Sequence, residues 1–166
     1  MPEIINARLD KRNFEHLVRQ MHDKAIDPKP VLAAIGNLAV KSITKNFIDG
    51  GRPNAWAKSK KTKGKTMIGT GFLYTHIHYT VDNEGTTIAT PPTKYAAILH
   101  FGGKTRPHEI RAKKRKALHF LGIFRKKVNH PGSDIPARPY MILQDEDIQA
   151  MEKMMVLHIT GNTLGR

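Results

Sequence analysis

Near the start of the chain the apolar positions fall on a helical period. Phe14, Leu17, Val18 and Met21 are separated by 3, 1 and 3 residues. That spacing draws one stripe along a helix of about 3.6 residues per turn. The pattern predicts a helix from about Asp10 to Ala25, with the Asp10 carboxylate accepting the first free backbone N–H groups. A second helix is expected from Asp27, its cap, and Pro28, at the first helical position where a missing N–H costs nothing. Val31, Leu32, Ile35, Leu38, Ala39, Ile43 and Phe47 form its broad apolar face, and Gly50 and Gly51 close it. From Gly50 to Thr66 the periodicity disappears and Gly, Pro, Asn and Lys dominate, so this stretch is expected to be loop. Trp56 is its exception: so large an aromatic either folds back onto the domain or waits for a partner.

The pattern then changes from a helical to a two-residue period. Gly69-Thr70-Gly71 before Phe72-Leu73 predicts a turn or short helical piece. Ile77, Tyr79 and Val81 alternate with His76, His78 and Thr80, as in a half-buried strand. Asp82-Asn83-Glu84-Gly85 supplies turn chemistry, and Thr86 to Thr90 is expected to return as the partner strand. Tyr95 to Leu99 reads as a short buried segment, helix or strand, ended by Gly102-Gly103. Two short strands are expected around His108–Ala112 and Ala117–Phe120, joined by Lys113–Lys116, with a third near Val128. Neighbours in sequence most often pair, so an antiparallel sheet or extended hairpin follows. A last helix is expected from about Asp145 to Ile159, with Asp145, Glu146 and Asp147 at its positive end and Ile148, Met151, Met155 and Ile159 on its buried face.

Two helices, a run of strands and a closing helix make an α+β fold, the helices packed on a small antiparallel sheet with long basic loops. The 166 residues suit one domain: a helical part (1–50), a sheet (67–140) bearing a basic arm (104–134), and a C-terminal helix (141–161). Charge sharpens this picture. The net charge is +14, and Lys58, Lys60, Lys61, Lys63 and Lys65 crowd one short segment. Lys104, Arg106, Arg111, Lys113, Lys114, Arg115, Lys116, Arg125, Lys126 and Lys127 crowd another, with Glu109 the only acid among them. Such runs are either solvated loops or a docking surface for nucleic acid or an acidic protein.

The absence of cysteine excludes disulfide scaffolds, thiolate zinc sites and cysteine nucleophiles. The apolar stretch from Val31 to Val40 is broken by Gly36 and Asn37 and is too short to span a bilayer. No secretory signal is visible after Met1, so a soluble, cytoplasmic protein without membrane contact is expected. No metalloprotease, P-loop, nucleophile-elbow or dinucleotide motif occurs. Gly102-Gly103-Lys104-Thr105 ends like a phosphate loop but lacks the earlier glycine, so it reads as a turn. His76 and His78 share one face of the expected strand, and His100, His108, His119 and His130 lie in the basic region. Acid–base work by these would need a converging pair. No catalytic residue, metal or cofactor is expected.

One ordered set of segments carries a resemblance. Phe47 leads into Gly50-Gly51-Arg52-Pro53 and Trp56; Gly71-Phe72-Leu73 follows; then come Tyr95-Ala96-Ala97-Ile98-Leu99-His100-Phe101-Gly102-Gly103 and finally Ile135-Pro136-Ala137-Arg138-Pro139-Tyr140. In that order they resemble the phage virion morphogenesis family, the tail completion proteins of Mu-like and related contractile-tailed phages. The basic segment around His108–Phe120 and His130-Pro131-Gly132 is similar to long-loop versions of head–tail joining proteins. The resemblance implies a structural protein without catalytic residues, made in the host cytoplasm and then resident in the virion at the head–tail junction or tail end. It implies a ring, commonly a hexamer, whose partners are other copies of itself and tail or head-connector proteins, with DNA in the lumen a further candidate. The motif positions it singles out are Gly51, Arg52, Pro53, Trp56, Gly71, Leu73, Tyr95, Ala96, His100, Phe101, Gly102, Gly103, Pro136, Ala137, Arg138 and Pro139. Among them Arg138 is expected to fork onto a carboxylate of a neighbouring subunit. Ala57-Lys58 departs from the family, which is less cationic after its tryptophan. The competing reading is a basic nucleic-acid-binding protein or small nuclease, built on the same cations and histidines.

Overall fold

The computed structural model describes residues 11–59, 66–112, 117–120 and 122–161. Asp10, Lys60, Lys61, Lys63, Lys65, Lys113, Lys114, Arg115 and Lys116 therefore lie outside the described residues. In chain order the helices are α1 (Lys11–Ile26), α2 (Lys29–Asp49), α3 (Phe72–Thr75), α4 (Ala96–Phe101) and α5 (Asp145–Thr160). The strands are β1 (His78–Val81), β2 (Thr86–Ala89), β3 (Gly103–Lys104), β4 (His108–Arg111), β5 (Leu118–Phe120), β6 (Ile123–Arg125), β7 (Lys127–His130) and β8 (Asp134–Ile135). The fold is α+β, and its strands form four two-stranded antiparallel ladders: β1·β2, β3·β8, β4·β7 and β5·β6.

The chain clusters into two compact units, each built from separate stretches of sequence. The first holds residues 1–44, 77–89 and 143–166. Here α2 presents Val31, Ala39 and Ile43 as buried apolar positions. The β1·β2 hairpin, with His78 opposite Ala89 and Val81 opposite Thr86, lies against α2. Thr86 Oγ1 donates to the Leu32 carbonyl at 2.8 Å, and Asn37 Nδ2 donates to the Tyr79 hydroxyl at 2.9 Å. Gly36 lets the Tyr79 ring approach: a Cβ there would fall 2.3 Å from Tyr79 Cδ2. The glycine that interrupts the apolar stretch of α2 is thus a seat for an aromatic ring.

In the same unit α1 packs along α5, and His158 Nε2 lies 3.1 Å from the Lys24 carbonyl and 3.2 Å from that of Asp27. The start of α5 is fixed by a capping box between Gln144 and Asp147, and Ser42 donates to Asp147 Oδ2. Yet neither α1 nor α5 contains a buried residue. The face expected to be buried on α5 is only partly covered, since Ile148 is 44% exposed. A contact between two helices leaves much of each cylinder open to solvent. A smaller difference lies at the start of α2, where the Pro28 carbonyl accepts the Leu32 N–H at 2.9 Å. Pro28 therefore takes the cap position expected of Asp27.

The second unit holds residues 45–76 and 90–142. Tyr95 to Leu99, left open between helix and strand, caps and starts α4; Ala96 is its buried residue, and Ile98 and Leu99 are half-buried. His76 lies just before β1 rather than in it, stacked on Phe72 with ring centroids 4.2 Å apart. The two histidines expected on one strand face are therefore not strand neighbours.

Candidate interaction site

Phe47, fully buried at 0% exposure, is the centre of an aromatic cluster in the second unit. Its ring meets those of Trp56, Tyr74 and Tyr140 at centroid distances of 5.6, 6.0 and 5.1 Å. The Trp56 backbone N–H donates to the Gly50 carbonyl at 2.7 Å, so the loop after α2 turns the indole back onto the helix that precedes it. Of the two roles open to Trp56 from sequence, the structure shows the folded-back one. Its Nε1 is buried without a hydrogen-bond partner among the described residues.

Beside Phe47 a polar side chain organises the cluster. Asn46 Nδ2 donates to the carbonyls of Tyr140 and Ile142 at 2.9 and 2.8 Å. Its Oδ1 accepts from Arg52 Nε at 2.8 Å. One buried amide thus joins the end of α2, the Arg52 loop and the stretch after Pro139. Pro136 and Pro139 hold that stretch extended, and the Arg138 N–H donates to the Leu99 carbonyl at 2.9 Å. The Arg138 side chain is only 6% exposed, and its Nε donates to the Ala57 carbonyl at 3.1 Å. The structure places it inside its own protomer, where it can satisfy a loop carbonyl, rather than reaching for a neighbour's carboxylate.

His100 packs edge-on against Tyr140 with centroids 5.1 Å apart, and its Nδ1 accepts the Met141 N–H at 3.4 Å. Partial burial lowers its pKa from the usual 6.5, since desolvation disfavours the imidazolium. Burial also pushes the Tyr140 phenol above its ordinary value. Gly102, which ends α4 at φ +75°, has no room for a side chain: a Cβ would lie 2.7 Å from the Ala137 nitrogen. Motif residues Trp56, Arg138, His100 and Gly102 therefore build the protomer. Tyr95 and Phe101, at 43% and 77% exposure, face outward.

From Gly103 the chain leaves this cluster as a β-ribbon. β3 pairs with β8, β4 with β7, and β5 with β6. The Thr105 N–H donates to the Ser133 carbonyl at 2.9 Å, and the Ser133 N–H to Thr105 Oγ1 at 2.7 Å, pinning the base of the ribbon. Gly132, at φ +94°, is required there because a Cβ would fall 2.2 Å from the Thr105 carbonyl oxygen. Nested pairing corrects the expected one: β4 meets β7 (His108 opposite His130), not β5. The turn is made at Gly122, φ +77°, between β5 and β6. Residues 112–117 separate β4 from β5, whereas residue 126 alone separates β6 from β7.

Every residue of β4 and β6 is exposed. Directly opposed residues share a face of an antiparallel pair. His108 with His130 and Ile110 with Val128 lie on one face of β4·β7, and Glu109 with Asn129 and Arg111 with Lys127 on the other. Glu109 accepts from Arg111 and lies 3.1 Å from Lys127 Nζ, and these hydrogen bonds hold its carboxyl below the usual range. The imidazoles of His108 and His130 stack at 5.1 Å. His108 Nδ1 lies 3.0 Å from the Arg106 carbonyl, and His130 Nδ1 accepts the Gly132 N–H at 3.0 Å, so each ring is engaged by its own backbone. Near the turn His119 stacks on Phe124 at 4.5 Å, and Phe124 is 71% exposed. Among the described residues no three His, Asp or Glu side chains come together as a metal-binding group, and no helix is long and apolar enough to cross a membrane.

Comparison with known proteins adds one match. The sequence model of the phage virion morphogenesis family matches residues 9–160. Neither a curated protein nor a solved structure matches the chain.

Proposed function

Because this chain belongs to the phage virion morphogenesis family, and is thus a structural protein of virion assembly, we infer that it completes the tail or joins it to the head as an oligomeric ring. One observation carries this reading. Two 16-residue helices, α1 and α5, contain no buried residue, and they expose Phe14, Val18, Ile26, Ile148, Val156 and Leu157 at 40–67%. Two whole helices that leave large apolar side chains this exposed suit a face covered by another subunit. A ring fits it: a heterologous contact that closes covers the same two patches on every subunit. Tail or connector proteins would then meet the surfaces that ring contacts leave open, and the site of action would be the head–tail junction or tail end.

Light scattering on the purified protein tests the ring directly. A mass several times 18.7 kDa, alone or with tail tubes, is expected. A strict monomer at low and high salt, tail tubes included, contradicts it. In cells, phage lacking the gene should yield heads and tails apart under negative stain.

A further inference from the structure

The ribbon from Gly103 to Ile135 carries more charge than its share of the chain. It contains ten Lys or Arg against Glu109 and Asp134, a surplus of +8 within a total of +14. Glu109 is engaged by Arg111 and Lys127, whereas Arg106, Arg125 and Lys126 are exposed and have no carboxylate partner among the described residues. Near the turn, Phe124 is 71% exposed with His119 stacked on it. We propose that this ribbon binds duplex DNA without sequence preference, through Arg106, Arg125 and Lys126 on phosphates and the exposed Phe124 near the turn.

Three observations favour duplex DNA. Two strands about 4.8 Å apart make a ribbon of a width that the major groove, about 12 Å across, admits. A ribbon whose β4 and β6 are exposed at every residue offers cations along its length, as evenly spaced phosphates require. A second copy of the chain is the poorer occupant, since outside the ribbon it is itself cationic, +14 less +8, or +6. The proposal goes beyond ring formation and does not depend on it, because each ribbon carries its own contacts.

The test is fluorescence anisotropy with a labelled random-sequence duplex at several salt concentrations, on the full chain. Wild type should bind at about 50 mM salt and weaken steeply as salt rises. The variant Arg106→Gln, Arg125→Gln, Lys126→Gln should lose at least about tenfold in affinity and lower the log–log salt slope by roughly 3, one for each lost phosphate contact. Lys41→Gln, Lys45→Gln, Lys153→Gln removes the same charge from exposed positions elsewhere and should bind as wild type does. Phe124→Ala should weaken binding while leaving the salt slope unchanged. Three results would overturn the proposal: no binding of wild type at about 50 mM salt, equal losses in the two triple variants, or binding of polyglutamate as tight as that of DNA. The last would assign the ribbon to an acidic protein.

Discussion

His100–Tyr140 and His119–Phe124 are both histidine–aromatic pairs in the same unit, with ring centroids 5.1 and 4.5 Å apart. They differ in what lies behind them. Behind Tyr140 stands Phe47, and behind Phe47 the buried amide of Asn46 tied to two carbonyls and an arginine. Among the described residues Phe124 stacks only on its ladder partner His119, and a two-stranded hairpin is marginal in water. Aromatic content alone does not separate a core from a contact surface; a further layer does. The cluster around Phe47 holds the protomer together, whereas the described part of the ribbon has no such layer behind Phe124, which is 71% exposed.

If this contrast is right, substitutions in the two regions should divide cleanly between stability and interaction. The largest effect belongs to Phe47→Ala, which removes a fully buried ring and should cost about 3–5 kcal/mol in urea-induced unfolding. Asn46→Ala follows. It strands the Tyr140 and Ile142 carbonyls and removes the acceptor of Arg52 Nε, and about 2–3 kcal/mol of destabilisation is expected.

A smaller, pH-dependent effect belongs to His100. Its pKa in the fold is lowered by burial, so the unfolded chain binds the proton more readily. The contribution is flat above the ordinary value of 6.5, and stability falls as pH drops from there toward the folded-state value. Melting temperatures of wild type and His100→Gln across pH 5–8 should converge in slope above that value, with the variant less pH-sensitive below it. Smallest of all is Phe124→Ala, expected to shift protomer stability by no more than about 0.5 kcal/mol in the same urea experiment. A loss of several kcal/mol there would place Phe124 in the core and erase the contrast.

Much of this architecture is written in local pattern. The helical spacing in α1 and α2, the alternation and Asp82–Gly85 turn of β1·β2, and the acidic start of α5 all act within a few residues. Nested pairing in the ribbon is less visible because several segments there could form strands, and a basic run interrupts them. Gly122 was the available signal: it offers the positive φ that a tight turn needs, which the Lys113–Lys116 run does not. The role of Asn46 was hidden for a different reason. A polar side chain beside Phe47 reads as a solvent position until the stretch after Pro139 supplies the carbonyls that it bonds. Trp56 and Arg138 were legible as residues that matter, but a motif does not say whether a side chain looks inward or outward. Helical spacing on α1 likewise reveals an apolar stripe, and only the structure shows that its own protomer half-buries Leu17 and Met21 and leaves Phe14 and Val18 exposed.

Complementation of phage lacking this gene is the most direct measurement of whether the ribbon serves contact in virion assembly rather than the stability of the protomer. The variant Ile123→Ser, Phe124→Ser should melt at the temperature of wild type yet leave heads and tails separate under negative stain. Joined, infectious particles at wild-type yield from that variant would contradict it.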